Sequence, residues 1–159
     1  MKLKGTKNRF SAETLNEMKL RLPSLSVNEG AARAAVAAFC AQLDPSAADI
    51  ADIKCAVSEA VTNCIVHAYR GTVGTIYISI RLYESNIVRV SVRDRGCGIP
   101  DVKKARQPLY TTDAENERSG MGFTVMENFM DKLVVSSRVG KGTTVVMYKT
   151  INPPSLSDL

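Results

Sequence analysis

The 159-residue chain reads as an α+β fold: a two-layer α/β sandwich with a mixed, mostly antiparallel sheet and helices on one face. Three observations predict it. Thr75–Tyr83 and Ile87–Arg93 alternate apolar and polar residues across the short turn Glu84-Ser85-Asn86, as a hairpin does. Lys132–Arg138 and Thr143–Thr150 repeat the pattern across Val139-Gly140-Lys141-Gly142. The two longest helical stretches precede the first pair instead of alternating with strands, which argues against a doubly wound parallel sheet.

The elements follow in chain order. Residues 1–17 lack periodicity and are read as a flexible N-terminal extension, with Met18 opening the first patterned segment. Lys19–Leu25 alternates like a strand, and Pro23 places it at a sheet edge. Ser26-Val27-Asn28-Glu29 has capping-box spacing and begins an alanine-rich helix running to about Leu43. Asp44-Pro45 offers an N-cap followed by proline for a second helix reaching about Tyr69, where Gly71 and Gly74 end it. Asp94–Pro100 is a glycine-rich loop, Asp101–Arg106 a short helix, and Met121–Met130 a further helix. The polar stretch Gln107–Gly122 is too long for a simple connector and reads as functional. The domain is taken as 18–150, with 151–159 as a tail.

Composition narrows the function classes. No run of about 18 apolar residues would span a membrane, and the N-terminus lacks a basic-then-apolar signal, so a cytoplasmic protein is expected. The net charge is +5, but Lys2, Lys4, Lys7 and Arg9 against Glu13 already carry +3 of it. The remaining cations are interspersed with acids, not striped, so no direct nucleic-acid contact is expected. Cys40, Cys55, Cys64 and Cys97 show no C-x-x-C spacing, and there is one His, which argues against a Cys/His metal site. The first three are read as small hydrophobes in helices, and Cys97 as an accessible loop residue.

Four motifs carry chemistry. Glu59 and Asn63 lie one turn apart on the second helix, with His67 a further turn on. Asn63 can supply an oxygen to Mg²⁺, and Glu59 can accept a proton from an attacking hydroxyl; a solvated helix face has the same pattern. Asp94-x-Gly96-x-Gly98 puts a carboxylate and two permissive residues at a strand end, where the carboxylate can accept from an adenine amino group. Arg118-Ser119-Gly120-Met121-Gly122 enters a helix, a setting in which backbone N–H groups bind phosphate. Gly142-Thr143-Thr144 opens the last strand, with a hydroxyl in reach of a base. The second motif is also an ordinary turn, the third a flexible one, and the fourth a good strand start. Neither G-x-x-x-x-G-K-[ST] nor a G-x-G-x-x-G after a first strand occurs.

In this order the four motifs resemble the Bergerat-type ATP-binding fold shared by gyrase, the Hsp90 chaperones, histidine kinases and MutL. The blocks AQLDP (41–45), SEAVTN (58–63), ARQPLYTT (105–112) and ERSGMGFTVMENFMD (117–131) are similar to the anti-sigma-F factors of endospore-forming bacteria, a family of serine-protein kinases. The resemblance implies ATP/ADP and Mg²⁺ as cofactors. It makes Glu59 the general base and Asn63 the Mg²⁺ ligand, and puts Arg118 at the γ-phosphate. Asp94 then holds adenine in a pocket shaped by Gly96 and Gly98, Gly120, Met121 and Gly122 close on the phosphates, and Thr143 helps at the base. Arg33, the one charge between Glu29 and Asp44, marks either the exposed face of its helix or, by the resemblance, a partner contact. The implied partners are sigma factor F, an anti-anti-sigma factor phosphorylated on serine, and a second copy in a homodimer. A stress-response-type anti-sigma kinase and a catalytically inactive sigma-binding module are the alternatives. His67 and Cys97 receive no role.

Overall fold

The computed structural model describes residues 12–108 and 121–153. Its strands are β1 (Thr14–Pro23), β2 (Thr75–Tyr83), β3 (Ile87–Arg93), β4 (Lys132–Arg138) and β5 (Gly142–Thr150). They form one sheet in the order β1-β2-β3-β5-β4, with every neighbouring pair antiparallel. The helices are α1 (Asn28–Cys40), α2 (Ala47–Asn63), α3 (Val102–Ala105) and α4 (Gly122–Phe129).

Strict alternation along β2 and β3 turns Ile76, Ile78, Ile80 and Leu82, and Val88, Val90 and Val92, toward the helices. Register places Ile80 beside Val90 and Val90 beside Met147, a continuous apolar row across the central strands. Ala32 and Val36 of α1, Ile53, Val57 and Val61 of α2, and Met126 of α4 cover that row, all fully buried. The small residues of α1 let it lie close to α2, and α2 in turn packs beside α4. The expected two-layer sandwich therefore forms, with α2 running over the middle of the sheet.

Local details differ from the sequence reading in four places. First, β1 starts at Thr14, not at Lys19, and crosses the boundary drawn at Met18. Its early half is exposed and carries no hydropathy signal; backbone pairing to β2 and the Glu17–Arg81 and Glu17–Lys19 ion pairs hold it. Second, no capping box forms: Val27 is the N-cap of α1 without a side-chain bond, because Glu29 turns to Ser58 on α2 and to Arg33, 3.5 Å away. Third, Asp44 ends the 3₁₀ turn Ala41–Leu43 in a left-handed conformation, φ 51°. The α2 cap is Ser46, whose Oγ accepts from the Asp49 amide at 3.1 Å. Fourth, Cys55 is exposed, whereas Cys40 and Cys64 are buried as expected.

Past Asn63 the helix widens into a π turn, Cys64–Ala68, a distortion frequent at functional sites. Among the described residues no helix is long and apolar enough to cross a membrane.

Candidate functional site

Two clusters meet beside the C-terminal half of α2. The first joins α2 to the start of α4. Glu59 and Asn63 both face Gly122, the first residue of α4: a Cβ built there would lie 3.2 Å from Glu59 Oε2 and 3.3 Å from Asn63 Oδ1. Gly122 is thus the residue that admits both side chains. Among the described residues no side chain caps α4 at Met121, and the first bond of the helix runs from the Val125 amide to the Met121 carbonyl at 2.9 Å. The N–H groups of the preceding residues therefore open beside a carboxylate and a carboxamide, an arrangement suited to an anion accompanied by a cation.

The second cluster surrounds Asp94, which is only 5% exposed at the end of β3. Its Oδ1 accepts from the amides of Gly96 at 2.9 Å and Thr143 at 3.1 Å, and its own amide donates to the Thr143 carbonyl at 2.9 Å. The Cys64 thiol donates to Oδ2 at 3.6 Å. Burial first, and then the charge of Asp94, raise the Cys64 pKa well above the ordinary thiol range, so the donor proton stays in place.

The glycines of the loop answer to internal packing. A Cβ at Gly96 would fall 2.2 Å from the Ala68 carbonyl oxygen of the π turn. Gly98, at φ +76°, and Gly142, at φ +110°, press equally closely on the backbones of Arg138 and Asp94. Cys97 completes the seam: its amide donates to the Ala68 carbonyl at 3.0 Å and its thiol to the His67 carbonyl at 3.3 Å. The structure thus gives His67 a backbone part in the loop.

The Thr143 hydroxyl, expected to face a base, pairs with Ser137 Oγ at 2.8 Å, and Ser137 also accepts from the Ile99 amide at 2.7 Å. Through its backbone Thr143 supports Asp94. Arg33 lies half-buried on α1 in its pair with Glu29, away from both clusters in sequence but linked to α2 through the Glu29–Ser58 bond. Arg118 and Gly120 fall outside the described residues.

Sequence reasoning missed three contributors. Cys64 carried no signal beyond apolarity. Ser137 looks like an ordinary strand residue. Tyr69 buttresses the loop by donating to the Thr75 carbonyl at 2.6 Å and accepting from the Arg95 amide at 2.8 Å, with its ring filling the space a Gly74 side chain would need. The pairing of a tyrosine with a nearby glycine is the one such signal present in the sequence.

Comparison with known proteins finds similarity over most of the chain. Residues 22–149 match the family model of the histidine kinase-like ATPase domain. The anti-sigma F factor of Geobacillus kaustophilus is 55% identical over 137 residues, covering 86% of this chain and 93% of the relative. That of Caldanaerobacter subterraneus subsp. tengcongensis is 57% identical over 136 residues, covering 86% and 94%. Among solved structures, the RsbU and RsbW domains of a Mycobacterium tuberculosis protein superpose with a TM-score of 0.66 at 23% identity. That match covers 88% of this chain and 34% of the other. The histidine kinase domain of a blue-light activated kinase from Erythrobacter litoralis gives 0.52 at 22% identity, covering 77% and 61%. At such identities the structures speak for the fold alone.

Proposed function

We propose, proceeding from the fact that the chain belongs to the anti-sigma F factor family of histidine kinase-like ATPases, that it is a nucleotide-dependent anti-sigma factor and protein serine kinase. In this reading a homodimer captures sigma factor F in its ATP form and phosphorylates an anti-anti-sigma factor on serine, a reaction that frees sigma by partner switching. The observation that carries it is the convergence of Glu59 and Asn63 on the uncapped start of α4, with the buried carboxylate of Asp94 on the neighbouring loop.

The donor set fits magnesium and ATP. Asn63 Oδ1 is a neutral oxygen suited to a hard cation that keeps most of its waters. The N–H groups at the start of α4 suit phosphate oxygens. Asp94 Oδ2 faces the loop with one thiol donor, leaving acceptor capacity for a base amino group. Magnesium-ATP, when bound, supplies the transferable phosphoryl group and screens its charge.

The chain's own residues do the rest. Asp94, anchored through Oδ1 by two backbone N–H bonds, presents its other oxygen to the base. Glu59 takes the proton of the partner's serine hydroxyl as the serine oxygen bonds to the γ-phosphorus and the bond to ADP breaks. By the family resemblance, Arg118 has the part of balancing the charge on the transferred group. Gly122 keeps Glu59 and Asn63 close to the phosphate-binding N–H groups by having no side chain of its own.

The test is Glu59→Gln, assayed with labelled ATP and the anti-anti-sigma partner. Nucleotide affinity is expected within a few-fold of native while phosphate transfer is lost; normal transfer would remove Glu59 as the base and favour an inactive module. Arg33→Ala is expected to weaken sigma capture with ATP affinity unchanged, and equal capture by the variant returns Arg33 to a helix-surface role.

A further inference from the structure

Asp94 presents a nearly filled carboxylate. Each carboxylate oxygen accepts about two hydrogen bonds, and Oδ1 already holds the amides of Gly96 and Thr143. Only Oδ2 remains for a ligand, and Cys64 Sγ stands 3.6 Å from it, within sulfur's longer reach. Cys64 is 4% exposed, at the first position of the π turn that follows Asn63. A residue needed only for packing there could be any small aliphatic. A thiol adds one weak donor, aimed at the one oxygen the backbone leaves unbound.

We propose that Cys64 is a positioning residue for nucleotide recognition: its S–H bond to Asp94 Oδ2 fixes the rotation of the carboxylate and leaves one lone pair aimed at the amino group of the base. The inference rests on the reading of Asp94 as the base-holding residue. Two backbone bonds converging on a single oxygen let the carboxylate pivot about Oδ1; a third contact on Oδ2, from a different element, removes that freedom. The geometry therefore ties α2, which carries Glu59 and Asn63, to the loop that reads the base.

The full-length chain is tested as Cys64→Ser, which keeps a donor, and Cys64→Val and Cys64→Ala, which remove it by filling or emptying the space. Affinities for ATP and for inosine triphosphate, whose ring carries a carbonyl in place of the amino group, are measured by calorimetry with magnesium. The serine variant is expected to bind ATP within about two-fold of native. Both donor-less variants are expected to lose about three- to ten-fold for ATP and much less for inosine triphosphate, so that the preference narrows. Native ATP affinity in Cys64→Val, or equal losses for both nucleotides, overturns the inference.

Infrared difference spectra between native and Cys64→Val protein give a readout that packing alone would not move. The Cys64 S–H stretch is expected below the free-thiol frequency and is expected to return to it in Asp94→Ala; an unshifted native band overturns the inference. Asp94→Ala also separates the two levels of the reading. If it leaves ATP affinity unchanged, the assignment of the base to Asp94 falls and the inference with it. If it abolishes ATP binding while Cys64→Val behaves as native, only the role of Cys64 falls.

Discussion

Lys149 is a charged side chain only 9% exposed, pointing from β5 into the helix layer. Its ammonium lies 3.1 Å from Asp52 Oδ2, 3.8 Å from Asp49 Oδ1 and 3.0 Å from the Phe129 carbonyl at the last turn of α4. Lys149→Met keeps the length of the stem and removes the charge. Asp52 is 29% exposed and can turn to solvent, so its share of the loss is small. Asp49, at 8%, cannot. It retains the Asn152 amide at 3.0 Å and a place in the first turn of α2, which holds the cost to the lower end of the range for a broken buried pair, about 3 kcal/mol. In thermal unfolding without nucleotide that is a fall in Tm of about 6–12 °C, and urea titration gives the free energy directly. Adding Asp49→Asn, which still accepts from Asn152, is expected to restore all but about 1 kcal/mol, since the uncompensated charge is gone. A loss below about 1 kcal/mol in Lys149→Met, or a double variant less stable than the single, would refute the electrostatic account.

Gly122→Ala separates stability from catalysis. The nearest atoms the added Cβ meets are the side-chain ends of Glu59 and Asn63, and alanine is the better helix former by about 1 kcal/mol, so unfolding is expected unchanged or slightly later. Phosphate transfer is expected to fall at least about ten-fold as both side chains are pushed aside; full activity would show that α4 does not set their positions. Thiol labelling at pH 8 is expected to modify Cys55 and Cys97 in the folded protein, and Cys40 and Cys64 only on unfolding. Burial pushes the Cys40 thiol up to about 12. The folded value lies above the unfolded one, so its contribution to stability is complete below the ordinary thiol range and is lost as pH rises toward 12. Four fast-reacting thiols would contradict the packing of α1 and α2 on the sheet.

Much of this molecule is written locally. The bounds of β2, β3 and β4 match the alternation of their residues, because each strand buries one face and a period of two leaves no other solution. Both helices were legible from their composition, although not through the caps the sequence offered, and the spacing of Glu59 and Asn63 places them on one side of α2 before any tertiary contact is known. Signals weakened where pairing replaced burial. Thr14–Glu17 joins the sheet through backbone bonds and surface charge, and Glu29 gave up a local cap for partners on another helix, a competition that capping rules do not contain.

The sequence by itself therefore determined the two hairpins, the helices and the side on which Glu59 and Asn63 stand, since these depend on residues a few positions apart, whereas the order β1-β2-β3-β5-β4 joins segments far apart in the chain. Only the tertiary structure decided what those residues meet. It brought Gly122 to them from the other side of a long insertion, closed the Gly96 backbone onto the Ala68 carbonyl, and turned Cys64 from an anonymous core residue into a donor for Asp94. Such contacts join positions 28 to 63 residues apart, and a hydrogen bond or a missing Cβ leaves no periodic trace in the chain that makes it.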